Sequence, residues 1–320
     1  MKDRRDGDFS WVKSLRTRGL VMEDKNLTGG CFRKKVLTIA GSDCSGGAGI
    51  QADLKTMSAH AVYGMSVITA ITVQNTTGVE TSEPVHPGIV ARQIDAVCSD
   101  IMPDAVKTGM LFSEEIINAV SQKIEEYRLK NLVADPVFVS TSGSQLLEPQ
   151  AAEVLKEKLL PLAMVITPNI PEAQALTGIN INNKDDMLLA ASELSKASGT
   201  NVLVKGGHNT GGADDLLYCT DKTDLFFKSG QDYNIGNITV NIDGNAAWFT
   251  GERINTSNTH GTGCTLSSAI ACNLAAGMDI VTAVASAKNY LTFALKAGLV
   301  IGHGNGPVDH CFNINAPNYK

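Results

Sequence analysis

The feature that most constrains the fold of this chain is an alternation of short, continuous apolar runs with segments of helical periodicity. VLTIA (36–40), MSVITAITV (65–73) and LVADPVFV (132–139) are rich in β-branched residues. A run that is apolar at nearly every position is typical of a strand buried on both faces. Because helix-type segments separate these runs, the pattern predicts an α/β fold, a mainly parallel sheet covered by helices on both faces.

Three later segments repeat the same order of strand and loop. They are AVKTGML (105–111), MVITPN (164–169) and NVLVKGG (201–207). Helices are predicted from Ala48 to about His60, from Pro87, from Ser113, over 264–276 and over 279–297. A helix between two strands is the usual connection that makes neighbouring strands parallel.

The stretch 215–257 breaks this alternation. DLLYC, DLFFKS and NITVNI are short strand-type segments separated by Gly, Asp and Asn, which predicts antiparallel hairpins in a small flap at the sheet edge. Because no repeat or linker interrupts the rest, we predict a single domain over 35–320. Residues 1–34 have mixed charge and no periodic apolar pattern, so we expect a poorly ordered N-terminal extension.

Composition excludes several classes of protein. The 320 residues carry a formal net charge of -6, so there is no basic excess to neutralise nucleic-acid phosphates. No apolar run approaches the roughly 18 residues that suggest a membrane-spanning helix. The seven cysteines are scattered without a CxxC pair, which favours reduced thiols in the cytoplasm over disulfides or a zinc site.

The first candidate site is the loop GSDCSGGAG (41–49), which joins a predicted strand to a predicted helix. Its glycines allow positive φ and let backbone N–H groups approach a ligand. The loop lacks the GK[ST] ending of a Walker A loop, but 47–52 fits a dinucleotide-binding pattern. The next predicted strand ends in Gln74, where dinucleotide-binding proteins carry an acid for the ribose. The pattern leaves open a nicotinamide oxidoreductase and also a plain turn.

The second candidate site is NTHGTGCT (258–265), which leads directly into a predicted helix. Gly261 and Gly263 leave the turn without side chains, so N–H groups are exposed where the helix dipole favours an anion. Cys264 falls in the first helical turn, where a thiolate is stabilised and the thiol pKa is expected to be lowered. The alternative is that Cys264 is a small buried residue.

These residues fit the needs of phosphoryl transfer from a nucleotide. The reaction requires an anion hole for the moving phosphoryl group, a base for the acceptor hydroxyl and cations for the nucleotide. The GTGC turn (261–264) supplies the first two. Lys205, at the end of a predicted strand, is placed to meet a nucleotide phosphate, and Glu172 is a candidate magnesium ligand. Taken alone, Lys205 could be a solvated lysine and Glu172 a charge at a helix start.

Eight motifs in one order make a family resemblance specific. They are GSDCSGGAGIQADLKT, VITAITVQNT, VKTGML, ADPV, ITPNIPEA, VKGGH, NTHGTGCT and GHGNGPV. In this order the chain resembles the hydroxymethylpyrimidine/phosphomethylpyrimidine kinases of the ribokinase-like superfamily, over about 36–310. The resemblance implies a ribokinase-like three-layer α/β/α sandwich.

The resemblance also implies roles for individual residues. The residues it assigns to the pyrimidine site are Gly41, Asp53, Gln74, Met110 and Val137. The residues it assigns to the nucleotide are Asn169, Glu172 and Lys205, with Glu172 also serving magnesium. The residues it assigns to catalysis are Gly261, Thr262 and Gly263 as the anion hole and Cys264 as the base. The related ribokinases carry Asp in the position of Cys264.

The activity implied is ATP-dependent phosphorylation of 4-amino-5-hydroxymethyl-2-methylpyrimidine to its monophosphate and then its diphosphate, in thiamine biosynthesis. ATP and Mg²⁺ are the expected cofactors, and a cytoplasmic homodimer that binds no nucleic acid or membrane is the expected form. Gln74 suits an aminopyrimidine, because a side-chain amide pairs with its adjacent donor and acceptor edges.

Two related alternatives remain, a pyridoxal kinase or bifunctional pyridoxal/hydroxymethylpyrimidine kinase, and a non-catalytic pyrimidine-binding protein. The chain departs from the family in its N-terminal extension and in a longer segment from His208 to about Ile254.

Overall fold

The continuous apolar runs become the central strands of one sheet. The computed structural model describes residues 32–139, 143, 145–148, 150–207, 214–220, 230 and 232–313. Contacts divide the chain into Met1–Arg33 and a compact unit, Lys34–Lys320. The predicted extension therefore lies almost wholly outside the described residues, and so does the predicted strand DLFFKS.

Within the described residues the sheet has eleven strands. They are β1 (Lys35–Asp43), β2 (Tyr63–Asn75), β3 (Gly78–Pro84), β4 (Ala105–Thr108), β5 (Leu132–Ala134), β6 (Val165–Ile166), β7 (Asn201–Val204), β8 (Asp215–Tyr218), β9 (Asp232–Ile235), β10 (Ile238–Asp243) and β11 (Ala246–Thr250). Their order is β3-β2-β1-β4-β5-β6-β7-β8-β11-β10-β9. Strands β2, β1, β4, β5, β6 and β7 run parallel, and β3 and β8 to β11 are antiparallel. The predicted parallel sheet with an antiparallel edge is confirmed.

Helices cover both faces of this sheet. They are α1 (Gly49–Ala59), α2 (Pro87–Cys98), α3 (Glu114–Glu126), α4 (Ala151–Val154), α5 (Ile170–Thr177), α6 (Lys184–Ser198), α7 (Thr262–Ala275) and α8 (Ile280–Lys296). Side chains alternate between the faces along β5. Leu132 and Ala134 join the core under α2 to α6, and Val133 joins the core under α1, α7 and α8. This alternation explains why the strand is apolar at every position.

The carboxyl ends of the parallel strands meet at one edge of the sheet, where doubly covered α/β sheets bind their ligands. The loops after β1, β4, β5, β6 and β7 all reach this edge. Strand β1 shifts its register against β2 between Ala40 and Ser42, a bulge of the kind that re-aims side chains beside active sites. The two sequence motifs rich in glycine therefore come together here. Among the described residues, no helix is long and apolar enough to cross a bilayer.

Candidate active site

A cavity of about 870 Å³ lies along this edge of the sheet. Its wall includes eleven of the twelve residues that the sequence assigned to the site. They are Gly41, Gln74, Met110, Val137, Asn169, Glu172, Lys205, Gly261, Thr262, Gly263 and Cys264. Because the strands stand in the order β2, β1, β4, β5, β6 and β7, the expected pyrimidine residues lie toward β2 and the expected nucleotide residues toward β7.

The anion hole is built by the turn that begins α7. Gly261 is the N-cap of the helix, with a left-handed φ of 77°. A Cβ at this position would lie 1.9 Å from the carbonyl oxygen of Gly47, so only glycine allows the two loops to touch. In the part of the chain that the structure describes, no carbonyl or side chain accepts the N–H of Gly263 or Cys264. These two donors can bind an anion at the positive end of the helix dipole.

The Gly/Ser loop after β1 is folded around its own aspartate. Asp43 is buried, and its Oδ2 accepts the N–H groups of Gly47 at 3.0 Å and Ala48 at 2.8 Å. Its Oδ1 accepts the N–H and the hydroxyl of Ser45 at 2.8 Å and 2.7 Å. The expectation that this loop offers its N–H groups to a ligand is therefore wrong for these three donors.

Asp43 also joins this loop to the anion hole. His260 directly precedes Gly261 in the chain, and its Nε2 lies 2.9 Å from Asp43 Oδ2. Burial raises the pKa of Asp43, but the His260 contact and the bonds from Ser45 and Ala48 outweigh it and hold the pKa well below its usual range. The carboxylate is thus ionised at neutral pH and fixes the relative position of the two glycine motifs.

Cys264 lies in the first turn of α7, partly buried, with its side chain on the cavity wall. Burial raises the pKa of its thiol to about 11. The ammonium of Lys107 lowers that pKa, whereas Asp53 and Asp135 raise it further. The expectation of a lowered pKa is therefore wrong for the ligand-free site, because desolvation of the thiolate exceeds the effect of the helix start.

Lys205 provides the positive charge of the site and is held by an ion pair with Asp135. Lys205 Nζ lies 2.8 Å from Asp135 Oδ1, and Asp135 also accepts the hydroxyl of Thr167 at 3.1 Å. Burial lowers the pKa of Lys205, but Asp135 and Glu172 outweigh it and raise the pKa, so the ammonium stays charged. The pair holds this charge beside Gly263, where a Cβ would lie 3.4 Å from Lys205 Nζ.

Glu172 has a structural function at the start of α5. Its Oε2 accepts the Asn169 N–H at 2.8 Å, while Asn169 Oδ1 accepts the Glu172 N–H at 2.8 Å, which is a capping box. Burial raises the pKa of Glu172 to about 7, with Lys205 lowering it and Asp135 raising it. The helix-start interpretation of Glu172 is thus correct, and the residue still lines the cavity.

These residues are compatible with a magnesium ion that arrives with a nucleotide. Mg²⁺ keeps most of its waters and takes one or two protein carboxylates together with substrate phosphates. Within the described residues, no group of three His, Cys, Asp or Glu side chains is arranged to hold a metal by itself. Glu172 therefore fits as a single carboxylate ligand of Mg²⁺, directly or through water. Because burial favours the protonated carboxyl group, binding of Mg²⁺ would release that proton.

The opposite part of the cavity suits a small heterocycle. Met110 closes against Gly41, where a Cβ would lie 2.9 Å from the Met110 sulfur. Gln74 is half-buried at the end of β2. Among the described residues, no protein group hydrogen-bonds to its side-chain amide, and Gln74 lines the cavity, so the donor and the acceptor of the amide are available to a ligand.

Asp53 does not lie on the cavity wall. Its carboxylate is fully buried in α1 and forms an ion pair with the equally buried Lys107 at 2.9 Å. The expectation that Asp53 lines the pyrimidine site is therefore wrong in this structure. The reason is that the side chain points toward β4 and α7, where Lys107 and Ser268 contact it.

Comparison with known proteins identifies the family to which this chain belongs. The phosphomethylpyrimidine kinase family matches residues 43–309. The chain belongs to this family. The hydroxymethylpyrimidine/phosphomethylpyrimidine kinase of Bacillus subtilis is 43% identical over 89% of this chain and 97% of its own length. The thiamine biosynthesis bifunctional protein ThiED of Geobacter sulfurreducens is 48% identical over 87% of this chain, which spans 52% of that longer relative.

Solved structures that resemble this chain are ribokinase-like kinases. The phosphomethylpyrimidine kinase of Clostridium difficile 630 is 46% identical, with a TM-score of 0.67 over 81% of this chain and 98% of that one. The pyridoxal kinase of Bacillus subtilis, solved as an ADP complex, is 36% identical, with a TM-score of 0.76 over 89% of this chain and 100% of that one. The predicted fold, family and kinase class are confirmed.

Sequence reasoning missed several groups that organise this kinase site. Asp43 and His260 lie inside the two glycine motifs, and Asp135 lies inside ADPV, so all three were in quoted motifs without an assigned role. Asp215 and Lys288 form a buried ion pair on the cavity wall, and Asp215 accepts the Gly206 N–H at 2.8 Å. For the aspartates and His260, the available signal was an ionisable residue next to a strand end or a glycine turn, whereas Lys288 lies within α8 and offered no such signal.

Proposed function

We propose that this chain phosphorylates 4-amino-5-hydroxymethyl-2-methylpyrimidine with ATP, first to the monophosphate and then to the diphosphate. One observation carries the proposal: a single cavity joins the unpaired amide of Gln74, the anion hole before Cys264 and the ammonium of Lys205. The first suits an aminopyrimidine, and the other two suit the transfer of a phosphoryl group.

In the first transfer, the hydroxymethyl oxygen attacks the γ-phosphorus of ATP as its bond to the β-phosphate oxygen breaks, releasing ADP. Cys264 accepts the hydroxyl proton. The N–H groups of Gly263 and Cys264 bind the negative charge on the moving phosphoryl group, because they point from the helix start without an internal partner. Lys205 binds a phosphate of the nucleotide, and Asp135 keeps it in place.

Magnesium, when bound with ATP, neutralises phosphate charge, and Glu172 is the residue proposed to contact it or its waters. The relation between Glu172 and Asn169 supports this role. Their capping box fixes the carboxylate at the start of α5, where Glu172 lines the cavity.

The second transfer uses the same groups on a different acceptor. The phosphate of the monophosphate is already largely ionised near neutral pH and needs no strong base. The attacking atom is then a phosphate oxygen, and the anion hole is the main requirement. Cys264 is consequently proposed to matter less in this step.

A pyridoxal kinase activity is the second candidate function. The observation that favours it is the high TM-score of 0.76 with a pyridoxal kinase. Gln74 favours the pyrimidine, because a bidentate amide matches an aminopyrimidine edge and has no equivalent partner on pyridoxal. The proposal for this chain remains the pyrimidine alcohol.

The same proposal covers assembly and location. A homodimer is proposed from the family resemblance. Two large apolar side chains on β2, Ile71 and Val73, are exposed in the single chain, which supports this proposal. A cytoplasmic enzyme is proposed because the seven cysteines lack paired spacing. Light scattering of the purified chain tests the dimer directly.

A substrate panel with product mass measurement tests the activity. With ATP and Mg²⁺, the pyrimidine alcohol should gain one and then two phosphoryl groups, and pyridoxal should react more slowly. Gln74→Met should reduce kcat/KM for the pyrimidine selectively, because the lost amide leaves polar ligand atoms unpaired. Efficient phosphorylation of pyridoxal with no product from the pyrimidine would reject the proposal.

A further inference from the structure

A second buried lysine and aspartate lie under the active site but outside the cavity wall. Lys107 on β4 and Asp53 on α1 are both fully buried. Lys107 Nζ lies 2.9 Å from each carboxylate oxygen of Asp53, and Thr38 Oγ1 donates to Asp53 Oδ2 at 2.6 Å. The contact is therefore bidentate and closed to solvent.

This pair is bonded to the helix that carries Cys264. Ser268 Oγ donates to Asp53 Oδ1 at 2.7 Å. Ser268 follows Cys264 by four residues, so the two side chains share one face of α7. The Lys107–Asp53 pair is thereby fixed one helical turn from the thiol.

The neighbouring residue makes an equivalent contact to the other ion pair. Ser267 Oγ contacts Asp135 Oδ2 at 3.2 Å, and Asp135 pairs with Lys205. The second turn of α7 therefore contacts both lysine–aspartate pairs, one helical turn after Cys264. Of the two pairs, only the one with Lys205 is on the cavity wall, and the pair with Lys107 is buried behind it.

A purely structural function explains this second pair poorly. Burying two charges costs desolvation, and well-packed apolar residues often replace such a pair without loss of stability. Four charged groups act on Cys264: Lys107 and Lys205 favour its thiolate, and Asp53 and Asp135 oppose it. After burial itself, Lys107 has the largest effect on the thiol pKa, and it exceeds that of its own partner Asp53.

We propose that Lys107 is a positioning residue whose buried charge stabilises the Cys264 thiolate, and that Asp53 and Ser268 fix the ammonium under α7. This inference deepens the proposed function and rests on Cys264 as the base. Lys107 offsets part of the desolvation that keeps the thiol protonated. It acts through Cys264 and touches neither substrate.

The experiment measures the ionisation of Cys264 without using catalysis. The full chain is treated with iodoacetamide at about pH 8, and the alkylation rate of the Cys264 peptide is followed by mass spectrometry, since only the thiolate reacts. The exposed Cys44 provides an internal reference in the same digest. Lys107→Met should slow Cys264 about tenfold or more, the factor that one pKa unit produces, and leave Cys44 unchanged.

The partner substitution should have the opposite effect. Asp53→Asn removes the opposing carboxylate and leaves the ammonium, so Cys264 should react faster than in the wild type. Both variants break the same ion pair and both should lower the melting temperature. A merely structural pair would change the two alkylation rates equally or leave both unchanged, and either result would overturn the proposal.

Two double variants serve as controls for these alkylation rates. If either single variant does not fold, Lys107→Met combined with Asp53→Asn should still react more slowly, because the effect of Lys107 on the thiol is larger than that of Asp53. Lys123→Met combined with Asp95→Asn removes an ion pair between α2 and α3, on the face of the sheet opposite to α7, and should leave the Cys264 rate at the wild-type value. Equal slowing in this control would also overturn the proposal.

Failure of this inference is distinguishable from failure of the proposed function. If Cys264→Ala retains full kinase activity, Cys264 is not the base, whatever the alkylation rates are. If the alkylation rates do not respond to Lys107→Met while Cys264→Ala is inactive, Cys264 remains the base and the positioning role of Lys107 is rejected.

Discussion

At the scale of single residues, the main question is how a protonated thiol can serve as a base. Burial raises the pKa of Cys264 to about 11, so few molecules carry the thiolate at neutral pH. In a loose phosphoryl transfer, little bond formation to the acceptor oxygen is needed before the transition state. The proton therefore leaves late, and a small thiolate fraction near a well-formed anion hole is compatible with catalysis.

This protonation state predicts a distinctive pH dependence. We expect kcat/KM for the pyrimidine alcohol to rise with pH from about 7 to 9, because the fraction of Cys264 thiolate increases up to about tenfold per unit below its pKa. Cys264→Asp should retain some activity with a much flatter profile, since a carboxylate is already ionised in this range. Initial rates at saturating ATP measure both profiles. A flat wild-type profile would contradict the role of the thiolate.

Removing the thiol should separate the two transfers. Cys264→Ala should bind ATP and pyrimidine nearly normally but lose the first transfer by roughly 10²–10⁴-fold, the usual scale for a positioned base. The monophosphate should recover more activity than the alcohol in this variant, because its phosphate is already ionised. Wild-type turnover of the alcohol by Cys264→Ala would mean that Cys264 only packs at the helix start and that the anion hole carries the reaction.

At the scale of elements, the turn that begins α7 and the loop after β1 form one unit. Gly261 contacts the Gly47 carbonyl, and His260 contacts Asp43. Each loop therefore fixes the other, and the anion hole keeps its shape without a ligand. Such preorganisation is what gives fixed N–H groups their catalytic effect.

A pair of glycine substitutions tests this unit. Gly261→Ala should reduce the melting temperature and kcat strongly, because it requires an unfavourable left-handed φ and its Cβ would lie 1.9 Å from the Gly47 oxygen. Gly244→Ala is the matched control, since its φ is 59° but nothing lies within 4 Å of the added Cβ. The control should cost only about 1 kcal/mol of stability and keep wild-type activity. Equal effects of the two substitutions would show that the contact with Gly47 is unimportant.

The sequence predicted those parts of the fold that depend on local pattern. Strand β1 and the GTGC turn were found because an apolar run and a glycine turn are visible without partners. Strand β3 was missed because GVETSEP is largely polar and partly exposed at the edge of the sheet. Asp53 was misplaced because its partner, Lys107, is 54 residues away. The pKa of Cys264 was misjudged for the same reason, since burial and the charges of three other elements decide it.

At the scale of the whole molecule, ionisable groups make opposite contributions to stability in mild acid. His310 is buried with its Nδ1 3.3 Å from both Thr56 and Tyr290, while among the described residues its Nε2 has no partner. Burial and Lys55 lower its pKa to about 4, with Asp309 opposing them and His60 adding to them. Glu172 differs, because burial raises its pKa to about 7.

The signs of these two contributions follow from proton binding. Between about pH 6.5 and 4, the unfolded chain binds a proton at His310 and the folded chain does not, so this stabilising contribution is lost as the pH falls. Between about pH 7 and 4.5, the folded chain keeps the Glu172 proton that the unfolded chain has released, so stability rises as the pH falls. Each contribution is on the order of 3 kcal/mol, and they largely cancel in the wild type.

Two variants separate the contributions of His310 and Glu172, which largely cancel in the wild type. His310→Asn removes the titrating ring, so its free energy of unfolding relative to the wild type should increase as the pH falls from about 7.5 to 5. Glu172→Gln keeps the acceptor of the capping box without the titration, and its relative free energy should fall over the same interval. Urea unfolding at several pH values measures both slopes. Asp43 does not disturb the comparison, because a lowered carboxyl pKa costs stability only below about pH 4. Parallel slopes for the two variants and the wild type would mean that neither buried group titrates differently in the folded and unfolded chains.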